Sequence, residues 1–175
     1  MSTADAPSTA RKDDAHIDRD WVVRRRLIDG VKVREVRNIV TGNGITTELF
    51  RPDWEFVEGG VQQAIHVALR GQAISAWHQH RQRWDYVFVV GGHLRIVLHD
   101  PREGSPTRDQ VDVFHLSPAR PSLLAIPPGV WHGVQNLSTD VSCFVNLFNR
   151  PYDYENPDEW RLPPDTAEIP YRFSA

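Results

Sequence analysis

The stretch GQAISAWHQHRQRWDYVFVVGG, residues 71–92, decides the fold of this chain. Two apolar segments lie between glycines, which is typical of short β-strands separated by tight turns. Successive side chains of a strand point to opposite faces, so His78 and His80 are expected to share one face. Asp85 follows five residues after His80, at the predicted start of the next strand.

A second stretch, PPGVWHGVQN at residues 127–136, places another histidine directly after a proline–glycine turn. Considered as residues alone, His78, His80, Asp85 and His132 provide three imidazoles and one carboxylate, a set that suits iron, manganese, zinc or nickel. The alternative is a group of hydrogen-bonded histidines with a structural role only.

Short strand patterns continue along the chain from residue 21, and helical periodicity is nearly absent. Regularly spaced short strands predict an all-β sandwich, barrel or jelly roll. Late prolines, as in residues 161–165, predict a loop-rich C-terminal wrap. The predicted strands cover residues 31–40, 45–51, 61–69, 73–80, 86–90, 94–99, 110–116, 123–126 and 142–149.

Composition narrows the class of protein. The chain has 175 residues and a formal net charge of −3, which predicts one domain and argues against a nucleic-acid partner. Residues 1–20 have no apolar core of a signal peptide and are expected to form a flexible tail, with a single domain over 21–175. The longest apolar run is too short to span a bilayer. Cys143 is the single cysteine, so a reducing, cytoplasmic location is expected.

The two histidine stretches together resemble the cupin superfamily. Residues 71–92 are close to its first motif, with Asp85 where the superfamily prefers glutamate, and residues 127–136 match its second motif as far as Asn136. The resemblance implies a double-stranded β-helix, a small jelly-roll barrel whose mouth receives inward-pointing side chains.

A narrower resemblance, to the dTDP-4-dehydrorhamnose 3,5-epimerase family, extends over most of residues 28–172. This chain is similar to an atypical subgroup that carries Trp-His-x-His where typical members have Leu-His-Tyr. The segments that carry the resemblance are residues 28–31, 44–51, 100–102, 105–107, 126–133, 151–154 and 157–159.

The resemblance implies roles for individual residues. His78 falls on the family's base, which removes a proton from the carbon next to a keto group of a nucleotide-linked sugar. His132 falls on the second pocket histidine, a hydrogen-bond donor to the developing enolate. Gln63 matches a substrate-contacting glutamine, and Asp165 lies near the position of an aspartate that orients the histidine. Strand alternation puts either Asn146 or its neighbour Val145 in the pocket.

This sequence also departs from the family pattern. Asp85 aligns with the family's lysine, Val145 with its acidic tyrosine, and Ser75 with an arginine near the catalytic histidine. Of the 20 basic residues only Lys12 and Lys32 are lysines, so no lysine lies near either motif. The standard double epimerisation is therefore not expected, whereas a single epimerisation or a keto-isomerisation of the same kind of substrate fits.

The preferred interpretation is a cytoplasmic epimerase or isomerase of a nucleotide-linked 4-keto-6-deoxy sugar, without a metal and forming a homodimer through edge strands. His78, His132 and Asp165 are the predicted catalytic residues, and Gln63, His80, Asp85 and Asn146 are expected to contact the substrate. One alternative is a metal-dependent cupin enzyme, such as a dioxygenase, decarboxylase or isomerase of a small acid, with His78, His80, Asp85 and His132 as ligands. Another is a cupin that binds a small ligand without catalysis.

Overall fold

The computed structural model describes residues 15–20 and 25–174. Within these residues lie twelve β-strands and one short 3-10 helix, Pro52–Trp54, and no helix there is long and apolar enough to cross a membrane. The strands are β1 (Lys32–Glu35), β2 (Asn38–Thr41), β3 (Gly44–Thr47), β4 (Gln63–Leu69), β5 (Ile74–Gln79), β6 (Asp85–Gly91), β7 (Leu94–His99), β8 (Val111–Leu116), β9 (Ser122–Ile126), β10 (Trp131–Asn136), β11 (Ser142–Phe148) and β12 (Trp160–Arg161).

Ten of the described strands form two antiparallel sheets of five strands each. Their orders are β1-β9-β6-β11-β4 and β12-β5-β10-β7-β8. The chain changes sheet at each step from β4 through β7 and again from β8 through β11, which places the two sheets face to face as a jelly roll. The predicted all-β fold is confirmed.

The hydrophobic core lies between the two sheets. Leu94, Ile96 and Leu98 alternate along β7, are fully buried, and pack in one cluster with Val87 and Val89 of β6 in the other sheet. Alternation therefore selects the inward side chains of both sheets. One end of this core forms the floor of the cavity described below.

The C-terminal residues cover the outer face of the second sheet. Trp77 and Val97 point away from the main core and pack with Ile169 in a separate buried cluster. Trp77 is fully buried, and its backbone exchanges hydrogen bonds with Leu162 at N···O distances of 2.9 and 3.3 Å. The C-terminal segment thus has the wrapping course expected from its prolines, and it adds β12 to the edge of the sheet beside β5.

Strands β2 and β3 form a hairpin that projects from the two sheets and pairs only with itself among the described residues. Val40 and Ile45 stand opposite each other on one face of this hairpin and are 74% and 65% exposed. Ile39 and Thr46 form the pair on the opposite face. The hairpin is therefore an apolar structure that the rest of the described chain does not bury.

Some predicted boundaries were wrong. The strand expected over 31–40 is two strands, because β1 pairs with β9 while β2 turns away to pair with β3. The strand expected over 45–51 ends at Thr47, and β10 was not predicted as a strand. Most of the predicted tail over 1–20, and the start of the predicted domain at 21–24, lie outside the described residues.

Candidate active site

A cavity of about 250 Å³ opens between the two sheets at one end of the core. Its floor is apolar and includes Val87, Ile96 and Phe144, which also belong to the main core cluster. Its walls carry the polar side chains of Ser75, His78, His80, Arg83, Asp85, His132, Asn146, Glu159 and Arg161. An apolar cavity with a few converging polar groups is the usual form of a small-molecule site.

Strand pairing brings the histidines of the two sequence motifs together. His132 on β10 stands directly opposite His78 on β5. The next recorded pair is Val134 with Ser75, so β5 has one residue more than β10 in this interval, which is a β-bulge. Because of the bulge, Ser75 and His78 both face the cavity although they are three residues apart.

Asp85, the first residue of β6, lies at the centre of the polar cluster. Its Oδ2 atom is 3.3 Å from Nε2 of His80, 3.3 Å from Nε2 of His132 and 3.2 Å from Nδ2 of Asn146. Burial alone would raise the pKa of this carboxyl, but the hydrogen bonds from His132 and His80 outweigh burial and hold the pKa well below its usual range. Asp85 is therefore an ionised carboxylate shared by two imidazoles.

Both ring nitrogens of His80 contact a neighbouring oxygen atom. Its Nδ1 atom donates to the backbone carbonyl of Asp158 at 2.7 Å, and its Nε2 atom faces Asp85. Burial lowers the pKa of His80, but the hydrogen bond to Asp85 and the charge of that carboxylate raise it further, so the net shift is upward. Arg83 lies 3.3 Å from the same Nε2 atom and pairs with Glu159.

His78 has a different environment. Its Nε2 atom lies 3.0 Å from the hydroxyl oxygen of Ser75, and its ring stacks on that of His132 with centroids 5.8 Å apart. Burial lowers the pKa of His78 to about 3, and the neighbouring side chains of His132 and Arg161 act in the same direction. The ring is consequently uncharged at neutral pH.

The other predicted site residues lie in different places. Asn146 faces the cavity and reaches Asp85, while Val145 does not line the cavity. Gln63 is at the end of β4, on the same face as two cavity-lining residues of that strand, and its Oε1 atom accepts a hydrogen bond from the backbone N–H of Tyr152 at 2.8 Å. Asp165 is exposed in a turn and does not line the cavity, because the turn projects beyond the segment that pairs with β5.

Four polar cavity residues were not predicted as site residues: Ser75, Arg83, Glu159 and Arg161. Glu159 and Arg161 reach the cavity from the C-terminal segment, at and beside β12. Glu159 lies in the stretch 157–159 that carries part of the family resemblance, which is the signal that points to it. The carboxylate that the C-terminal segment brings to the cavity is therefore Glu159.

A second hollow, of about 420 Å³, adjoins the cavity and shares Arg83 with it. Arg150 and Tyr152 also line this hollow, together with the carboxylates of Asp153 and Asp158. The two spaces together offer a smaller compartment that holds the histidines and a larger outer one.

Comparison with known proteins places this chain in a family. A family model described as dTDP-4-dehydrorhamnose 3,5-epimerase matches residues 25–173. The chain is 33% identical over 148 residues to the spore coat polysaccharide biosynthesis protein SpsL of Bacillus subtilis, covering 85% of this chain and 97% of the relative. It is 31% identical over 139 residues to the probable low-salt glycan biosynthesis epimerase Agl13 of Haloferax volcanii, covering 79% of this chain and 89% of the relative.

Among solved structures, the chain is similar to a dTDP sugar isomerase from Desulfovibrio desulfuricans, with a TM-score of 0.77 and 26% identity. The match covers 82% of this chain and 90% of that structure. The predicted cupin jelly roll and the predicted enzyme class are confirmed by these matches. The chain belongs to the dTDP-4-dehydrorhamnose 3,5-epimerase family.

Proposed function

We propose that this protein epimerises one carbon next to the keto group of a nucleotide-linked 4-keto-6-deoxy sugar. The observation that carries the proposal is the imidazole of His78 facing the cavity beside a second imidazole, His132, in a chain of the epimerase family. A carbon next to a ketone is acidic enough for a positioned imidazole to remove its proton. The reaction moves protons only and needs no redox cofactor.

Each residue of the cluster has a role in this proposal. His78 accepts the proton from the sugar carbon, and the Ser75 hydroxyl at 3.0 Å holds its ring in place. The electron pair of the broken C–H bond passes to the ketone oxygen, and His132 or His80 donates a hydrogen bond to the resulting enolate. Asp85 orients both of these histidines. A proton from solvent water then adds to the opposite face of the carbon as the enolate electron pair re-forms the C–H bond, and His78 releases its proton to solvent, so that the centre is inverted with no net change in protons.

A single epimerisation is proposed because the described cavity contains neither a lysine nor a tyrosine. The resemblance implies a tyrosine as the family's general acid and a lysine beside the enolate, and Val145 and Asp85 align with these two positions. Tyr152 lines the outer hollow instead. One base with one set of hydrogen-bond donors supports one inversion.

The two adjoining spaces suggest how a nucleotide sugar would bind. The cavity of about 250 Å³ is below the range of about 300–1,000 Å³ that is usual for whole ligands, so the sugar alone would occupy it. The outer hollow would then hold the rest of the molecule. Arg83 and Arg150 offer planar guanidinium groups to a diphosphate, and the Tyr152 ring offers a surface for a base.

Deuterium uptake tests the proposal. The protein is incubated in D₂O with dTDP- and GDP-linked 4-keto-6-deoxy sugars, and the product is analysed by mass spectrometry; one deuteron per sugar is expected. His78→Gln should lower the rate of uptake by about 10²–10⁴-fold, which is the usual contribution of a general base. His66→Gln, an exposed histidine on β4, is the matched control and should retain the wild-type rate. No uptake with either nucleotide contradicts the proposed function, and two deuterons contradict the single epimerisation.

We further infer that the protein forms a homodimer through the β2–β3 hairpin. An apolar face that the described chain leaves exposed, at Val40 and Ile45, suits contact with a second copy. Val40→Glu should give monomers in sedimentation equilibrium, because it would bury a charge in the contact. Thr46→Glu on the opposite face of the hairpin should leave the dimer intact. A wild-type monomer at micromolar concentration contradicts the inference.

The remaining part of the proposal concerns the binding partner and the cellular location of the protein. The partner is the nucleotide sugar, with no nucleic acid and no membrane surface, in keeping with the net charge of −3. A cytoplasmic location is supported by the single cysteine, which cannot form an internal disulfide.

A further inference from the structure

We propose that Gln63 is a positioning residue, which anchors one wall of the outer hollow and does not itself touch the substrate. The family resemblance implies a substrate contact for this glutamine, but Gln63 lines neither the cavity nor the outer hollow. Its Oε1 atom instead accepts a hydrogen bond from the backbone N–H of Tyr152 at 2.8 Å. Because a backbone N–H only donates, the amide oxygen is the atom that faces it. The inference rests on the proposed function, since it concerns how the nucleotide part of the substrate is held.

Gln63 holds residues 151–157, which we call the outer loop. This loop has no strand or helix, and most of its residues are exposed. It supplies half of the residues that line the outer hollow, namely Pro151, Tyr152, Asp153 and Asn156. The shape of the hollow therefore depends on where the outer loop lies.

The two ends of the outer loop are fixed without Gln63. Before the loop, the side-chain oxygen of Asn149 accepts from the backbone N–H of Trp84 at 2.9 Å. After the loop, the Asp158 carboxylate accepts from two backbone N–H groups at 3.0 and 2.7 Å. Between these ends, within the described structure, the Gln63 contact is the only hydrogen bond that joins the outer loop to another part of the chain. The middle of the loop thus has a single anchor.

Gln63 is itself held by the sheet that forms the cavity. It is the first residue of β4, and its partner across β11 is Phe148, which lines the cavity. The backbone N–H of the neighbouring Gln62 also donates to the carbonyl of Phe148, at 2.8 Å. One side-chain amide therefore connects the rigid sheet of the inner cavity to the loop that forms the outer hollow.

Removal of this anchor is expected to weaken binding and to leave the chemical step unchanged. Without it the outer loop has more conformations in the free protein, and nucleotide binding has to order the loop. The net contribution of one hydrogen bond corresponds to a rise of about 5-fold in Kd. Such a loss of binding raises KM with kcat unchanged, whereas loss of a contact to the reacting sugar also lowers kcat.

Nucleotide binding without the sugar tests the anchor, with dTDP and GDP as probes in calorimetry. Gln63→Leu removes the acceptor and should bind nucleotide about 5-fold more weakly than the wild type. Gln63→Glu keeps an acceptor oxygen, and Gln62→Leu makes the matched change at an exposed neighbour, so both should stay within about twofold of the wild type. Amide exchange measured by NMR follows the contact directly. The Tyr152 amide should exchange about 10-fold more slowly than the Asp153 amide in the wild type, and equally fast in Gln63→Leu.

An equal Kd for the wild type and Gln63→Leu overturns the proposal, and so does a wild type that binds neither nucleotide. Deuterium uptake adds the kinetic readout: Gln63→Leu should raise KM about 5-fold, and a fall of kcat by about 10-fold or more would instead assign Gln63 a direct contact with the sugar. If Gln63→Leu does not fold, the wild type decides, because an unprotected Tyr152 amide overturns the anchor. Absence of uptake by a wild type that binds nucleotide contradicts the epimerase function alone, so the two failures give different results.

Discussion

Asn136, the last residue of the second histidine motif, is predicted to have a structural role. Its substitution should lower the free energy of unfolding of the barrel and leave the cavity unchanged. It is fully buried and does not line the cavity. Its amide nitrogen donates to three backbone carbonyls in two loops, and its amide oxygen accepts from a backbone N–H and a hydroxyl. The five partners are Leu69, Arg70, Asp140, Ser138 and Ser142.

The magnitude of the effect of Asn136→Ala follows from this count. A protein hydrogen bond contributes about 1 kcal/mol net, so loss of five bonds would cost about 5 kcal/mol. Arg70 and Asp140 are exposed, and water can reach their carbonyls in the variant, which removes up to about 2 kcal/mol from the loss. We therefore expect the free energy of unfolding to fall by about 3–5 kcal/mol.

Urea denaturation followed by tryptophan fluorescence and by circular dichroism measures this loss, provided that the two signals change together. With a slope of about 2 kcal/mol per M, the midpoint should move down by about 2 M. Asn43→Ala, in the exposed turn of the hairpin, is the control and should change stability by less than about 0.5 kcal/mol. A loss below about 1 kcal/mol for Asn136→Ala would refute the assignment of these contacts to stability.

Two further predictions concern the buried carboxylate of Asp100 and the bend at Gly92. Burial would raise the pKa of Asp100, but hydrogen bonds from Arg102 and two hydroxyl groups hold it well below its usual range; Asp100→Asn should therefore cost about 3 kcal/mol at pH 7. The pKa of Asp100 is lower in the folded state than in the unfolded state, where it is about 3.9. The loss of unfolding free energy in Asp100→Asn should therefore be complete above the unfolded-state pKa and shrink as the pH falls below it. Urea denaturation at pH 7 and pH 3 measures this loss. In Gly92→Ala the new Cβ would lie 1.9 Å from Oγ of Ser142 at a φ of +76°, whereas Gly104→Ala has the same φ and no atom within 4 Å. Gly104→Ala should lose about 1 kcal/mol and Gly92→Ala at least twice as much, and equal losses would contradict the clash.

The sequence was sufficient to predict that His78 and His80 lie on one side of a strand, because that depends on the local alternation of side chains. That His132 meets them followed from the resemblance to the two-motif pattern of the cupin superfamily, since the pairing of β10 with β5 joins distant parts of the chain. The sequence was also sufficient to identify Asp85 as a partner, since the spacing places it at the start of β6. The relations among His78, His80 and Asp85 span few residues, and few conformations of the chain satisfy them.

The remaining features depend on contacts between distant parts of the chain. Glu159 enters the cavity because Trp160 and Arg161 pair with β5, about 80 residues away in sequence, and no local pattern specifies that pairing. Asp165 was predicted from the resemblance alone, and it lies in an exposed turn beyond this pairing and does not line the cavity. The choice between Asn146 and Val145 likewise depended on the register of β11 against β6, which only the folded sheet determines.

Because the chain has no lysine beyond Lys32, other groups must stabilise the negative charge of an enolate in this site. In the described cavity the permanent cations are Arg83 and Arg161, and both face Glu159, at 2.5 and 3.7 Å. A guanidinium that already has a carboxylate partner has less charge to offer a developing enolate. The remaining source is the cluster around Asp85, whose two imidazoles bring N–H donors to the same wall of the cavity. The family resemblance places Asp85 at the position of the lysine, so we expect its two histidine partners to provide the hydrogen bonds that replace the lysine.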